Sequence, residues 1–259
     1  MKQWLRLEAV CASLALRSRM AYRLDFALSF TGMFLAHLAM PVYIVLLYGV
    51  SQGFGEWTLS DMLLLTGFIQ LARGVMSMFM SGLIWHTNER VHRGTFDLLL
   101  LAPVNSLGHL INRSIDFEDA GQFLSGLAVF VIAVVYAQIS WLQLLVLLLL
   151  LPFAIAFFAS LFIFSAAITV RYISTLRLFE FSDIAGQYSQ FPLSIYPSLL
   201  GTVFLTLIPL GAAGYIPVGV VMGQLSTIML GAMIFPVLFL AMSVWYWQNT
   251  LKHYTSAGG

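Results

Sequence analysis

The chain has 259 residues, of which 60% are hydrophobic and only 9% are charged, and its mean hydropathy is +0.92. A soluble domain carries roughly a quarter of its residues as charges, so this composition excludes an ordinary water-soluble globule. The apolar residues fall in long runs and the net charge is only +1, which together predict an all-α integral membrane protein with a single transmembrane domain over residues 1–259.

The N-terminal segment predicts an amphipathic helix that lies in the membrane interface over residues 2–20. At 100° per residue, one sector of residues 2–17 is cationic and polar, and the roughly opposite sector is apolar. The first sector contains Lys2, Arg6, Ser13 and Arg17, and the second contains Trp4, Leu7, Cys11, Leu14 and Ala15. Such a helix can rest among anionic headgroups. An ordinary soluble surface helix is the alternative.

Five apolar segments predict membrane-spanning helices. They cover about 24–50, 61–84, 117–137, 142–169 and 227–248. The last segment closes with Trp245, Tyr246 and Trp247, which predict an aromatic girdle at the membrane interface.

The stretch 171–226 leaves the fifth of six spans open between two positions. Hydropathy favours 198–220, but Pro209, Gly211 and Gly214 interrupt that segment. Irregular backbone at membrane depth must be covered by protein or line a wet cavity. The alternative places the fifth span at 173–191 and makes 197–223 a re-entrant hairpin entered from outside. Both versions give six spans and the same sidedness.

Basic residues alternate between connections. From the segment before the first span to the segment after the last one, the numbers of Lys and Arg residues outside the spans are five, none, three, none, two, none and one. Eleven of the twelve basic residues therefore lie on alternate connections. Because cytoplasmic loops carry the excess of Lys and Arg, both termini and the 85–116 connection are predicted to be cytoplasmic.

The exception is Arg73, in the middle of the second span. A charge at bilayer depth costs at least about 2.5–3.5 kcal/mol, and Arg73 has no acidic neighbour three or four residues away, so its partner must come from another helix. Glu180, Asp183 and Gln187 share one helical face. If 173–191 is a span, that face points to a cavity or to Arg73; if it is interfacial, those groups are solvated.

The sequence lacks three common motifs for nucleotide binding and hydrolytic catalysis. The sequence has no G-x-x-x-x-G-K-[ST] loop, no nucleophile elbow and no H-E-x-x-H. ATP hydrolysis would therefore need another chain. We read His86 and His92 as interfacial or exposed rather than as metal ligands, and we expect no bound metal. Three acidic residues, Asp116, Glu118 and Asp119, are expected to be helix-start charges rather than a catalytic pair.

The 85–116 connection combines a charged stretch, Glu89 to Arg93, with Gly94-Thr95-Phe96-Asp97, four leucines and Ala102-Pro103. Its apolar patch is too short to span a membrane, so it must be buried in the interface or in a partner.

This loop resembles the first cytoplasmic loop of type-2 ABC exporter permeases, whose pattern is close to E-x-x-x-G-T-[LF]-[DE]-x-L-L-x-x-P. The matching residues are Glu89 (one residue further from the glycine), Gly94, Thr95, Phe96, Asp97, Leu99, Leu100 and Pro103. Residues 113–117, 191–197, 208–210 and 215–217 are also similar to the viologen or multidrug exporter branch of that family.

The resemblance implies a half-transporter in the bacterial inner (plasma) membrane. Two permeases, identical or related, would enclose a central path in the lipid bilayer, and each would dock a cytoplasmic ATPase that binds ATP and Mg²⁺. This chain would bind no cofactor or nucleic acid and would not itself be an enzyme. The implied ATPase-coupling residues are Glu89, Arg90, Arg93, Gly94, Thr95, Phe96, Asp97 and Pro103. The resemblance also favours the re-entrant hairpin at 197–223.

A path between apolar helices suits hydrophobic or amphiphilic cargo such as drugs, lipids or lipid-linked molecules. A different class of function is an ion-coupled secondary transporter that uses Arg73, Glu180 and Asp183 as a relay. A scaffold without transport is a third possibility.

Overall fold

A computed structural model describes residues 23–101, 105–172 and 177–254, without the side chains of 177–181. Its regular structure is helical, which confirms the all-α class. The helices are α1 (Arg23–Val50), α2 (Leu59–His92), α3 (Phe96–Leu101), α4 (Ser106–Arg113), α5 (Ala120–Tyr136), α6 (Trp141–Tyr172), α7 (Arg177–Tyr188), α8 (Ser198–Thr206), α9 (Leu210–Ala213), α10 (Tyr215–Val221) and α11 (Ile234–Lys252). The predicted helix over 2–20 lies outside the described residues.

Among the described residues, four segments are long and apolar enough to cross a membrane: α1, α2, α6 and Thr227–Lys252, in which a 3-10 stretch precedes α11. The apolar helix α5 is shorter, at 17 residues. These segments coincide with the five spans predicted outside 171–226. The predicted second span, 61–84, ended too early for the helix, because α2 continues past residue 84 to His92. Part of the predicted 85–116 loop is therefore the last two turns of α2.

Helix α2 is the centre of the bundle. It begins at a capping box in which the Thr58 side chain accepts from the backbone of Asp61 and the Asp61 carboxylate accepts from that of Thr58. It then packs against α5 on one side and α6 on another, while α1 packs on α5 and α11 packs along α6.

Glycines allow α2 and α5 to approach backbone to backbone. A Cβ atom added at Gly74 would lie 2.5 Å from the Cα atom of Phe123, and one added at Gly126 would lie 2.5 Å from the carbonyl carbon of Gln70. Small residues are the usual means by which membrane helices pack this closely. The backbones of α2 and α5 are therefore in direct contact at these glycines.

The chain between 177 and 226 contains only short helices in its described part. Helix α7 has 12 residues, and the apolar segment 198–220 is divided into α8, α9 and α10. The breaks fall at Pro209, which has no backbone N–H to continue the helix, and at Gly214. Within the described residues, the segment after residue 176 is helical from Arg177 to Tyr188, and 198–220 is not one continuous helix. Helices α9 and α10 pack against α6.

The predicted aromatic girdle at the end of α11 is wrong for one of its members. Trp245 is 62% exposed, whereas Trp247 is only 1% exposed and belongs to the core. Two residues along a helix turn the side chain by about 200°, so the two indoles lie on nearly opposite faces. That core also contains Val91, Phe96, Leu99 and Leu110, which places the loop after α2 against the end of α11.

Candidate functional site

The end of α2 is a left-handed glycine turn. Gly94 has φ +65°, its N–H donates to the Val91 carbonyl at 3.2 Å, and the Thr95 N–H donates to the Arg90 carbonyl at 2.9 Å. These are the two bonds of a Schellman motif, for which glycine is the preferred residue because it has no Cβ atom. The Gly94-Thr95 pair thus stops α2 and turns the chain into α3.

Charged residues cover the last turn of α2. Glu89 and Arg93 form an ion pair at 3.0 Å, four residues apart and largely in solvent, so it contributes at most about 1 kcal/mol. Asp97 lies in the first turn of α3, where its charge suits the positive end of the helix. The pKa of His109 is lowered, chiefly by partial burial of the imidazole and secondly by the nearby positive charges of Arg113 and Arg90.

Helix α3 has a buried side and an exposed side. Phe96 and Leu99 are buried in the core. Leu98 and Leu101, by contrast, are 66% and 81% exposed. The helix is therefore anchored to the bundle by one face while it offers leucines to a surface outside the chain.

The residues predicted to couple to an ATPase thus separate by position. Glu89, Arg90 and Arg93 lie on the end of α2, Gly94 and Thr95 form the turn, and Phe96 and Asp97 begin α3. Phe96 faces inward rather than toward a partner. Pro103 lies outside the described residues.

A second candidate site is a cavity of about 670 Å³ between α1, α2, α5, α6 and α7, the polar cavity, in which charged, amide and hydroxyl side chains stand among apolar ones. Arg73 of α2 and Asp183 of α7 form an ion pair within it, and their side chains are 13% and 45% exposed. The structure therefore brings together two of the predicted intramembrane polar residues. Gln187 also lines the cavity, whereas the Glu180 side chain lies outside the described part.

Close contacts hold α7 against the bundle at this cavity. Gly186 lets the Arg73 side chain pass, since a Cβ atom at Gly186 would lie 2.7 Å from a guanidinium nitrogen. The Gln70 amide donates to the His37 carbonyl of α1 at 3.0 Å and to the Gln190 side chain at 3.4 Å. Three helices thus meet through polar groups at this level.

Asp119 lies at the N-cap of α5, in agreement with its prediction as a helix-start charge, and it is also buried and lines the cavity. It makes no side-chain cap on α5, and it lines the cavity together with Ser81 and Arg73. The site has further members that sequence reasoning missed. They are His37, Gln70, Ser77, Ser81, Gln122 and Gln190.

A signal for some of them was present in the sequence. Gln70, Arg73, Ser77 and Ser81 follow one another at three- and four-residue spacing, which places them in one stripe along α2. A polar stripe on an otherwise apolar spanning helix indicates a cavity or a helix contact.

The chain matches a known protein family. The family model described as ABC-2 family transporter protein matches residues 34–258. No curated protein and no solved structure matches the chain.

Proposed function

Because the chain belongs to the ABC-2 transporter family, we propose that it is the transmembrane permease subunit of an ATP-driven exporter whose ATPase is a separate cytoplasmic chain. The family match over residues 34–258 is the observation that carries this proposal. The lack of a phosphate-binding loop in the sequence supports it. ATP and Mg²⁺ would be bound by the partner.

Residues 89–103 would contact that ATPase. The leucines of α3 supply an apolar surface too small for a membrane span, and the ion pair at Glu89 and Arg93 borders it. An apolar helix face of this kind suits a groove in a soluble partner. Movement of the ATPase would then displace α3 and the helices packed against it.

The proposed topology has six crossings with both termini in the cytoplasm. Four are the long apolar segments and one is the shorter α5. The chain between α6 and residue 227 would supply the sixth. The interruptions at Pro209 and Gly214 support a re-entrant arrangement of 197–223, and the alternation of basic residues supports the orientation.

A second permease, identical or related, would complete the transport path within the lipid bilayer. Helix α1 exposes many large apolar side chains, which a partner permease or lipid must cover. The polar cavity with Arg73, Asp183 and Gln187, together with Glu180, would lie along the path. A path of mixed apolar and polar lining suits an amphiphilic or hydrophobic substrate.

One observation favours the alternative of an ion-coupled secondary transporter: Arg73 and Asp183 form an ion pair inside a cavity. Membership of an ABC family weighs against it. The two functions differ in their energy source, since an ion-coupled carrier works without ATP.

The test is purification of the affinity-tagged chain from its native membrane in mild detergent. We expect an ATP-binding chain to copurify and to hydrolyse ATP in a vanadate-sensitive manner. Leu98→Asp with Leu101→Asp should remove that activity while membrane insertion stays normal, because a carboxylate cannot be buried in an apolar groove. Val50→Asp, at an exposed apolar residue that ends α1, is the control and should keep it. Purification without any ATPase would overturn the proposal.

A further inference from the structure

We propose that the C-terminal end of α11 is a second route by which movement of α3 reaches the membrane helices, with Trp247 and Tyr254 as its positioning residues. This inference rests on the proposed coupling of residues 89–103 to an ATPase. It adds a contact between that loop and the other end of the chain.

The contact is an aromatic cluster formed by Phe96, Trp247 and Tyr254. The ring centroid of Phe96 lies 5.1 Å from that of Tyr254 and 6.4 Å from that of Trp247, with the planes inclined at 59° and 71°. Inclined rings at these distances attract one another beyond their simple burial of area. Phe96 and Trp247 are both fully enclosed in the core.

The spacing of residues at the end of α11 fits this role. Trp247 and Leu251 are four residues apart on α11, so they share one face of the helix. Tyr254 follows two residues after the helix ends, and all three residues belong to or pack on the core that contains Phe96. Trp245 points away from that core and is mostly exposed. The end of the last helix therefore presents one apolar face to α3.

The side-chain contact complements the covalent connection between α3 and α2. That connection passes through the Gly94 turn, where the backbone has no side chain to limit its rotation. Phe96, in contrast, is held in a close-packed core, and such cores transmit displacement because they compress little. Since α11 packs along α6, displacement of its C-terminal end would reach both helices.

The experiment measures whether nucleotide binding changes the opposite end of the last span. Thr227, an exposed residue at the start of that segment, is replaced by cysteine in a Cys11→Ser background. The labelling rate with an impermeant maleimide is compared with and without ATP and vanadate in the purified permease–ATPase complex. We expect Trp247→Leu to reduce the nucleotide-dependent change in rate at least about fivefold, the lower range of coupling between sites.

Matched variants separate coupling from folding. Trp245→Leu removes the same side chain from the exposed face and should leave the change in rate intact. Tyr254→Leu, at a half-buried position, should also reduce the nucleotide-dependent change in labelling rate. This variant tests the inference if Trp247→Leu does not accumulate in the membrane. When Trp247→Leu is combined with Phe96→Leu, the nucleotide-dependent change in labelling rate should fall no further than in either single variant. Both substitutions break the same contact, so their effects should not add.

The results distinguish this inference from the proposed function. If the unmodified chain purifies without an ATPase, the proposed function fails. If an ATPase copurifies and the labelling rate still responds to nucleotide in Trp247→Leu or Tyr254→Leu as in the unmodified chain, only this inference is overturned. Equal losses in Trp245→Leu and Trp247→Leu would overturn it as well.

Discussion

Gly94 is the residue at which α2 ends, and its backbone conformation is one that other residues adopt only at a cost. Its φ of +65° disfavours any L side chain by roughly 1–2 kcal/mol. We expect Gly94→Ala to weaken ATPase copurification, because the cost falls on the turn that orients α3. Gly55→Ala is a matched control: Gly55 has φ +64°, and a Cβ atom there, as at Gly94, meets nothing within 4 Å. The prediction fails if both variants retain the ATPase equally.

The Arg73–Asp183 pair is predicted to stabilise the bundle at the polar cavity. Asp183→Asn leaves a largely buried guanidinium without its ion-pair partner, which should lower the free energy of unfolding by about 2–3 kcal/mol, less than for a fully buried pair because Asp183 is half exposed. The measurement is thermal unfolding in detergent. Arg73→Gln together with Asp183→Asn should recover part of the loss.

The control for that pair is Glu89→Gln, which breaks the exposed ion pair with Arg93. We expect it to change stability by less than about 1 kcal/mol. An equally small effect of Asp183→Asn would show that the pair at the cavity does not stabilise the fold.

Single residues also show what the sequence could not predict. The sequence showed that Arg73 needed a partner on another helix and left the face of Glu180, Asp183 and Gln187 as one possibility, and the structure selects Asp183. Trp245 and Trp247 look alike in a hydropathy profile, yet only the second is buried. That difference depends on the rotation of α11 about its axis, which is set by packing against Phe96 and α6 rather than by local composition.

Among the helices, the backbone contact between α2 and α5 is predicted to contribute to stability. We expect Gly126→Ala to lower the free energy of unfolding by about 2 kcal/mol, because the new Cβ atom would meet the main chain at Gln70 and Leu71, which cannot move away as a side chain could. Thermal unfolding in detergent is again the measurement. Gly32→Ala, on α1 where nothing lies within 4 Å, should leave stability unchanged or slightly higher. Equal stability of the two variants would contradict this packing.

Spans were predictable where hydropathy was continuous. The positions of α1, α5, α6 and α11 follow from apolar runs of sufficient length. The extension of α2 from residue 85 to His92 was missed because these last turns are polar. A hydropathy window detects the part of a helix that crosses the membrane and not its polar continuation. Between 198 and 220, composition indicated an apolar segment and Pro209 indicated a break, but the placement of α9 and α10 against α6 depends on tertiary contacts.

At the scale of the whole molecule, the orientation in the membrane can be tested by labelling. In a Cys11→Ser background, we expect Gln52→Cys to react with an impermeant maleimide on intact cells and His92→Cys to react only after the membrane is opened. Both positions are exposed in the structure, so accessibility of the side chain is matched. Reaction of His92→Cys from outside would reverse the proposed topology.

The central claim is that α3 is where a soluble ATPase contacts this chain. The most direct measurement places a photo-crosslinking amino acid at Leu101, the most exposed leucine of α3, and, as a control, at Val50, which is 88% exposed at the far end of α1. We predict that illumination of native membranes joins the Leu101 probe to an ATP-binding chain and that the Val50 probe captures none. Capture at both positions, or at neither, would contradict the account.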